Sequence, residues 1–172
     1  ITEFHGRKSK EGDYKLNYLL KLDEEKSKIL LKPSTIKLDR NIWTINPLND
    51  QKHLISYDFV DQRIDLNFFL AQSANERIEI SGYYQSAENF GLLLDIEKVS
   101  LENLGIPSKD FDFEGAMDLN LTIKRSPTDN TLKFNGFVDN FAVNDLDMGS
   151  LQFFTSGNTQ LNSYEVNLIL SK

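Results

Sequence analysis

Apolar and polar residues alternate along the stretch from Phe111 to Lys124. The odd positions carry apolar residues and one glycine, while the even positions carry mostly charged or amide side chains. A period of two puts the odd positions on one face of a β-strand and the even positions on the other. The pattern therefore predicts a long strand with one dry face and one wet face.

The same alternation recurs along most of the chain, and no segment keeps an apolar period of 3.6 residues. Strands are predicted at 14–22, 28–38, 43–45, 54–59, 64–70, 78–82, 92–101, 111–124, 132–143, 151–155 and 164–170. We expect residues 14–172 to form one all-β domain, a meander of about ten strands. Residues 1–13 are charged and aperiodic, and we expect a disordered or frayed lead-in there. We also expect the chain to be a fragment of a longer protein.

Two irregularities interrupt the alternation. Pro33 stands in the middle of 28–38 and predicts a bulge or an edge position, because proline has no N–H to donate. The apolar parity slips by one residue near Lys98, which is the signature of a β-bulge.

Three glycines fall on apolar positions of strands: Gly82, Gly115 and Gly136. A glycine inside a strand marks a bend or a close approach of another backbone. We interpret these three as bends in a well-packed sheet. The alternative is that they mark places where the apolar face must stay open.

Alternation alone leaves two architectures open. A long amphipathic meander can curl around an open apolar groove, or two sheets can pack face to face as a β-sandwich. Both arrangements put the same set of residues on the apolar side of the strands.

The composition excludes some partners. The 172 residues carry 19 Lys and Arg against 26 Asp and Glu, for a net charge of −7. That charge repels phosphate backbones, and no basic stripe offsets it, so no nucleic-acid partner is expected. The chain has no cysteine, so the fold uses no disulfide. A cysteine-free chain is compatible with both the cytosol and the periplasm, so the cysteine count does not decide the compartment.

Candidates for chemistry are few. His5 and His53 are the only histidines, and neither lies in a metal-like spacing, so both are expected at the surface. Calcium could be suggested by Asp139, Asn144, Asp145 and Asp147, but they miss the spacing of a calcium loop. Asn144-Asp145 is better interpreted as a hairpin turn. There is no nucleophile elbow and no glycine-rich phosphate loop. We therefore predict no enzyme activity, no metal and no cofactor.

A series of short motifs nevertheless has a familiar order. It runs through Asn41-Ile42-Trp43-Thr44-Ile45-Asn46-Pro47, Arg77-Ile78-Glu79-Ile80-Ser81-Gly82, Leu92-Leu93-Leu94-Asp95-Ile96, Val99-Ser100-Leu101-Glu102-Asn103-Leu104, the Gly115 strand, Leu132-Lys133-Phe134, Phe141-Ala142-Val143-Asn144 and Met148-Gly149-Ser150-Leu151. Over roughly 28–170 the chain resembles the C-terminal part of TamB-like proteins (translocation and assembly module, AsmA-like/DUF490 superfamily), in a version typical of Bacteroidetes.

The resemblance implies a fold, a location and a role. The fold would be a β-taco, a long sheet curled into an open β-groove with an apolar interior. The full-length protein would be anchored to the inner membrane, cross the periplasm and meet an Omp85-class barrel of the outer membrane. The family is associated with phospholipid transport to the outer membrane and with protein assembly there. It has no catalytic residues to carry over.

On this hypothesis the groove takes up phospholipid or another apolar ligand. The residues expected to line it are those on the apolar parity of the strands, namely Ile64, Leu66, Phe68, Leu70, Ile78, Ile80, Leu94, Ile96, Phe111, Phe113, Met117, Leu119, Leu121, Ile123, Phe134, Phe153, Val166 and Leu168.

The alternative is a non-enzymatic β-sandwich that serves as a binding or adhesion module for carbohydrate or protein. It predicts exposed aromatic side chains, and the available candidates are Trp43, Tyr57, Tyr83 and Tyr84. Tyr83 and Tyr84 are adjacent, so a regular strand exposes at most one of them. Trp43 is better explained as a core residue.

Overall fold

The computed structural model describes residues 2–5, 12–38, 41–73, 75–104, 111–158 and 163–172. The described part is all-β apart from one 3₁₀ helix, Leu101–Leu104. Its strands are β1 (Thr2–His5), β2 (Gly12–Leu22), β3 (Lys26–Leu31), β4 (Ser34–Leu38), β5 (Asn41–Ile45), β6 (Leu54–Asp58), β7 (Arg63–Ser73), β8 (Glu76–Ser86), β9 (Asn89–Ser100), β10 (Phe113–Ser126), β11 (Asp129–Val143), β12 (Leu146–Asn158) and β13 (Ser163–Ser171).

The strands form one open antiparallel sheet. Both β3 and β4 pair with β2, at opposite ends of it. In the same way, β6 and β5 pair with the two ends of β7. Each of these pairs therefore acts as one interrupted strand, and from β2 onward the sheet is a meander of ten long strands. The all-β prediction is confirmed, and β1 adds to the outer edge of β2.

Pro33 causes the first interruption, between β3 and β4. The ladder is bridged around it: Lys32 donates its N–H to the Asn17 carbonyl at 2.9 Å. The Asn17 N–H then turns to the Ser34 hydroxyl oxygen at 2.9 Å, and the Asn17 amide reaches the Pro33 carbonyl at 2.6 Å. Pro33 was predicted to mark a bulge or an edge position, but it marks a break between two strands inside the sheet. Side chains there replace the hydrogen bond that proline cannot make.

The second interruption is the connection of residues 46–53 between β5 and β6. Asn46 is fully buried there, and its amide donates to the carbonyls of Leu31 at 2.8 Å and Asp50 at 3.0 Å. Its side-chain oxygen accepts the Asp50 N–H at 2.9 Å. These bonds fold the connection back onto the sheet.

The surface position predicted for His53 is wrong. Its ring is fully buried and lies edge-on against the Phe68 ring, with 5.0 Å between the centroids. The His53 Nδ1 atom lies 2.9 Å from an Asp50 carboxylate oxygen. Burial follows from the folded-back connection, which covers the gap between β5 and β6. The side chain of His5 lies outside the described part of the structure.

Bulges shift the parity at several points. Met117 pairs with Val99 and Leu119 pairs with Ile96, so β9 holds one extra residue near Lys98, which has a φ of 52°. The bulge predicted near Lys98 is confirmed. A second bulge, between Leu66 and Phe69 of β7, was not predicted.

The β7 bulge corrects the expected position of Phe68 and shifts the backbone register at Leu70. Phe69, rather than Phe68, pairs with Ile80 on the apolar parity, and the backbone of Leu70 pairs with Glu79. Phe68 instead lines a cavity beside Glu79, on the other face of the sheet. The extra residue in the strand exchanges the two faces for every residue that follows it.

The N-terminal segment differs from its prediction, whereas the turn between β11 and β12 agrees with it. No regular structure was expected before Tyr14, but Thr2–His5 pairs with β2, and β2 itself begins at Gly12. Residues 1 and 6–11 of that segment lie outside the described residues. Asn144 and Asp145 form the β11–β12 turn with positive φ angles, as predicted.

Candidate apolar binding face

Cross-strand partners put the apolar positions of successive strands on one side of the sheet, because paired residues of an antiparallel ladder point to the same face. We call this side the apolar face. Its rows, read across the strands, are Ala71–Ile78–Ile96–Leu119–Gly136–Phe153–Leu168, Phe69–Ile80–Leu94–Leu121–Phe134 and Leu66–Gly82–Leu92–Ile123–Leu132. Residues from distant parts of the chain thereby form one continuous apolar surface.

Most of the residues predicted to line a groove lie on the apolar face. By register these are Ile64, Leu66, Ile78, Ile80, Leu94, Ile96, Met117, Leu119, Leu121, Ile123, Phe134, Phe153, Val166 and Leu168. Phe113 packs against the same cluster and stacks on Phe141. Phe111 precedes β10, is 57% exposed and stacks on Phe113. Phe68 lies on the other side of the sheet, as described above, and the side chain of Leu70 lies outside the described part of the structure.

Burial is greatest at one end of this face, which we call the closed end. Its buried residues come from β5, β7, β9, β10, β11 and the 3₁₀ helix, and they are Trp43, Ile45, Ala71, Ile96, Val99, Leu101, Met117 and Val138. Glu76 anchors the helix there, because one of its carboxylate oxygens accepts the Ser100 N–H at 2.9 Å and the Asn103 amide at 2.7 Å.

At the opposite end, which we call the open end, none of the described residues of the apolar face is fully buried. Ile64 is 44% exposed and its cross-strand partner Tyr84 is 52% exposed. A cavity of about 280 Å³ lies here, lined by Ile64, Leu66, Gly82, Tyr83, Tyr84, Phe90, Gly91 and Leu92. A second, of about 470 Å³, shares Phe90 and extends to Ile123, Lys124, Arg125, Asn130, Thr131, Leu132 and Tyr164.

The other side of the sheet, the polar face, carries side chains that the sequence analysis did not single out. A cavity of about 670 Å³ is lined in part by Asn135, Gln152 and Phe154, and it exceeds either cavity at the open end. It shares Asn120 and Thr122 with a neighbouring cavity of about 360 Å³. No sequence motif marks these residues, because a polar outward position looks the same whether it lines a hollow or a flat surface.

The aromatic candidates for a surface site differ in how far their side chains are exposed. Trp43 is 4% exposed and belongs to the buried cluster, as predicted. Tyr84 is exposed while Tyr83 is half-buried under the Arg63 guanidinium, whose carbon lies 4.2 Å from the ring centroid. Tyr57 is also half-buried and packs on Phe59. Only one member of the Tyr83–Tyr84 pair is therefore exposed, as alternation requires.

Within the described ranges, no group of three or more His, Asp or Glu side chains is placed to hold a metal ion. The described residues also contain no helix long and apolar enough to cross a membrane. Comparisons of the chain with protein-family models, with curated proteins and with solved structures found no match. The function must therefore follow from the chemistry of the two faces.

Proposed function

We propose that the apolar face carries or shields lipid acyl chains. The observation that carries this proposal is the register, which assembles apolar residues of successive strands into one uninterrupted surface on an open sheet. An apolar surface of this extent is costly to leave in water, so it favours an apolar partner.

Acyl chains suit such a surface in size and chemistry. Ten strands at a spacing of about 4.8 Å make a face nearly 50 Å long, enough for more than one extended chain. Burying a methylene contributes about 0.8 kcal/mol, so a dozen give roughly 10 kcal/mol as an upper bound before ordering costs. No directional bonds are needed, which fits a face made of Leu, Ile, Val and Phe side chains.

The accessible surface of the chain is larger than that of a compact monomer. It measures 11738 Å² for a chain of 19.8 kDa. A compact monomer of that mass is expected to expose only about 8600 Å². In the proposal the sheet curls around its apolar face as a β-taco, so that the half-buried rows form the walls of a groove.

The proposed setting follows the resemblance to TamB-like proteins. The chain would be a periplasmic segment of a longer, inner-membrane-anchored protein that meets an Omp85-class barrel. It would serve phospholipid transport or outer-membrane protein assembly without catalysing a reaction. The graded burial of the apolar face is compatible with this role, because a groove needs one region that holds it together and another that admits cargo.

Native mass spectrometry of gently purified protein tests the proposal. We expect the wild type to retain lipid and the Leu119→Asp variant to lose most of it, because a carboxylate would stand in the path of the chains. Thr122→Asp, on the polar face of the same strand, is the matched control and should stay loaded. Leu119→Asp should remain folded but unfold at a lower urea concentration than Thr122→Asp, because Leu119 packs against the buried cluster. A wild type without bound lipid, together with an unfolded Leu119→Asp variant, would indicate a sealed core.

A second candidate is binding of a polar ligand such as carbohydrate on the polar face. The cavity beside Asn135, Gln152 and Phe154 favours it, because amide groups next to an aromatic ring can bind hydroxyls and a sugar face together. The same experiment separates the two candidates. A ligand of the polar face would remain bound in Leu119→Asp and would be a hydrophilic molecule by its mass.

A further inference from the structure

The open end of the apolar face carries a positive charge. Arg125 pairs with Phe90 on one side and with Asn130 on the other, so its register position is on the apolar face. We propose that this end binds the anionic head group of an amphiphile at Arg125, while the apolar chain lies along the face toward the closed end. The inference rests on the proposed function and assigns the ligand class and its orientation.

The cavity around Arg125 has the two chemistries that an amphiphile requires. Phe90, Ile123 and Leu132 supply an apolar lining, and Arg125 and Asn130 supply polar groups. The cavity adjoins the apolar one above Gly82 through Phe90. A chain whose head lies beside the guanidinium can contact Ile123 in this cavity and then Leu121, the next residue of the apolar face toward the closed end.

The guanidinium of Arg125 is accessible for a second anion. Its Nη2 atom lies 2.8 Å from a Glu88 carboxylate oxygen, and the two side chains are 49% and 73% exposed. Exposed ion pairs of this kind add little to stability, so Glu88 is a weak competitor. A guanidinium also offers several donors in a planar fork, which suits the paired oxygens of a carboxylate or phosphate.

Lys124 lines the same cavity but is already engaged. Its ammonium lies 2.8 Å from an Asp129 carboxylate oxygen. That hydrogen bond raises the pKa of Lys124 and lowers the pKa of Asp129. The register position of Lys124, opposite Gly91 and Thr131, is moreover on the polar face, which leaves Arg125 as the cation of the apolar face.

The two ends of the apolar face differ in charge, and this fixes the orientation of the ligand. At the closed end the register position of Glu76 lies on the same face, and its carboxylate is held by the 3₁₀ helix. An anionic head would be repelled there and attracted at Arg125. The whole chain has a net charge of −7, so a preference for anions must come from a local site.

Binding of four dodecyl amphiphiles, below their critical micelle concentrations, tests the inference. Laurate and dodecyl phosphate have anionic heads, dodecyl maltoside is neutral and dodecyltrimethylammonium is cationic. We expect the anionic pair to bind about tenfold more tightly than the neutral ligand, and the cation to bind most weakly. A difference between laurate and dodecyl phosphate would tell whether a fatty acid or a phospholipid head fits better.

Two matched variants isolate the head site. Arg125→Gln should abolish the anion preference and leave the dissociation constant for dodecyl maltoside unchanged. Glu88→Gln removes the competing carboxylate and should strengthen anion binding. If all four ligands bind equally, or if Arg125→Gln weakens them all alike, the head site is wrong while the lipid-binding face stands. If none of the four binds, the proposed function itself fails.

Discussion

Gly82 lies on the apolar face directly beside the backbone of the neighbouring strand β9. A Cβ atom built on it would lie 2.3 Å from the Gly91 carbonyl oxygen. At Gly136 a Cβ would instead enter the Phe153 ring, which lies across that glycine from the next strand. The interpretation of both glycines as bends stays a prediction, while the structure shows that a neighbouring group fills the space of the missing side chain at each. Which neighbour fills the space was not predictable, because that depends on the register.

Substitution at Gly82 should therefore be costly. We expect Gly82→Ala to lower the free energy of unfolding by about 2 kcal/mol, because the obstructing atom is backbone and cannot move aside. Gly91→Ala is the matched control, since its Cβ would meet the edge of the Tyr83 ring at 2.8 Å, and a half-buried ring can shift. Urea unfolding of both variants measures the difference. Equal losses would show that the backbone contact at Gly82 is not limiting.

At the scale of elements, alternation predicted the existence and the apolar face of most strands. It correctly predicted the bulge near Lys98, because the one-residue shift of the apolar positions there is visible in the sequence. It failed at the β7 bulge, where Phe68, Phe69 and Leu70 are all apolar and any parity fits. A bulge inside an apolar run leaves no trace in the pattern, so Phe68 was assigned to the wrong face.

The burial of residues in the connection 46–53 could not be predicted from the local sequence pattern either. It reads as a polar turn, yet Asn46 and His53 are fully buried, because the connection folds onto the sheet at a gap between two strands. The gap itself is a product of long-range pairing of β5 and β6 with β7. The burial of polar residues in this turn thus depends on tertiary structure, which a short stretch of sequence does not predict.

This connection supplies a test at the element scale. Asn46→Gly keeps the positive φ of 50° available but removes three hydrogen bonds, so we expect a loss of about 2–4 kcal/mol in unfolding free energy. Asn49→Gly in the same connection also preserves a positive φ, of 52°, but changes an exposed side chain. It should alter stability by less than about 0.5 kcal/mol. Similar effects in both variants would mean that the Asn46 hydrogen bonds do not hold the connection.

At the scale of the whole molecule, the pattern predicted one all-β domain, and the structure has a single open sheet. The pattern could not predict what lies opposite the apolar face. Period-two alternation records only that one side of each strand avoids water, which is equally true of a groove and of a sealed core. The charge difference between the two ends was likewise invisible until register put Arg125 and Glu76 on the apolar face.

The central claim, that the apolar face is open and binds amphiphiles, is tested most directly by thiol accessibility. The chain has no cysteine, so single substitutions report cleanly. Leu121→Cys lies on the apolar face and Thr122→Cys on the polar face of β10, and both native residues are half-buried. The measurement is the rate of maleimide labelling after lipid removal, with and without dodecyl maltoside.

We predict that both cysteines react in the lipid-free protein and that dodecyl maltoside slows labelling at position 121 only. Protection of one face by an amphiphile requires that this face be both accessible and occupied. An inert cysteine at position 121 beside a reactive one at position 122 would instead mean that the apolar face is sealed, and it would contradict the account.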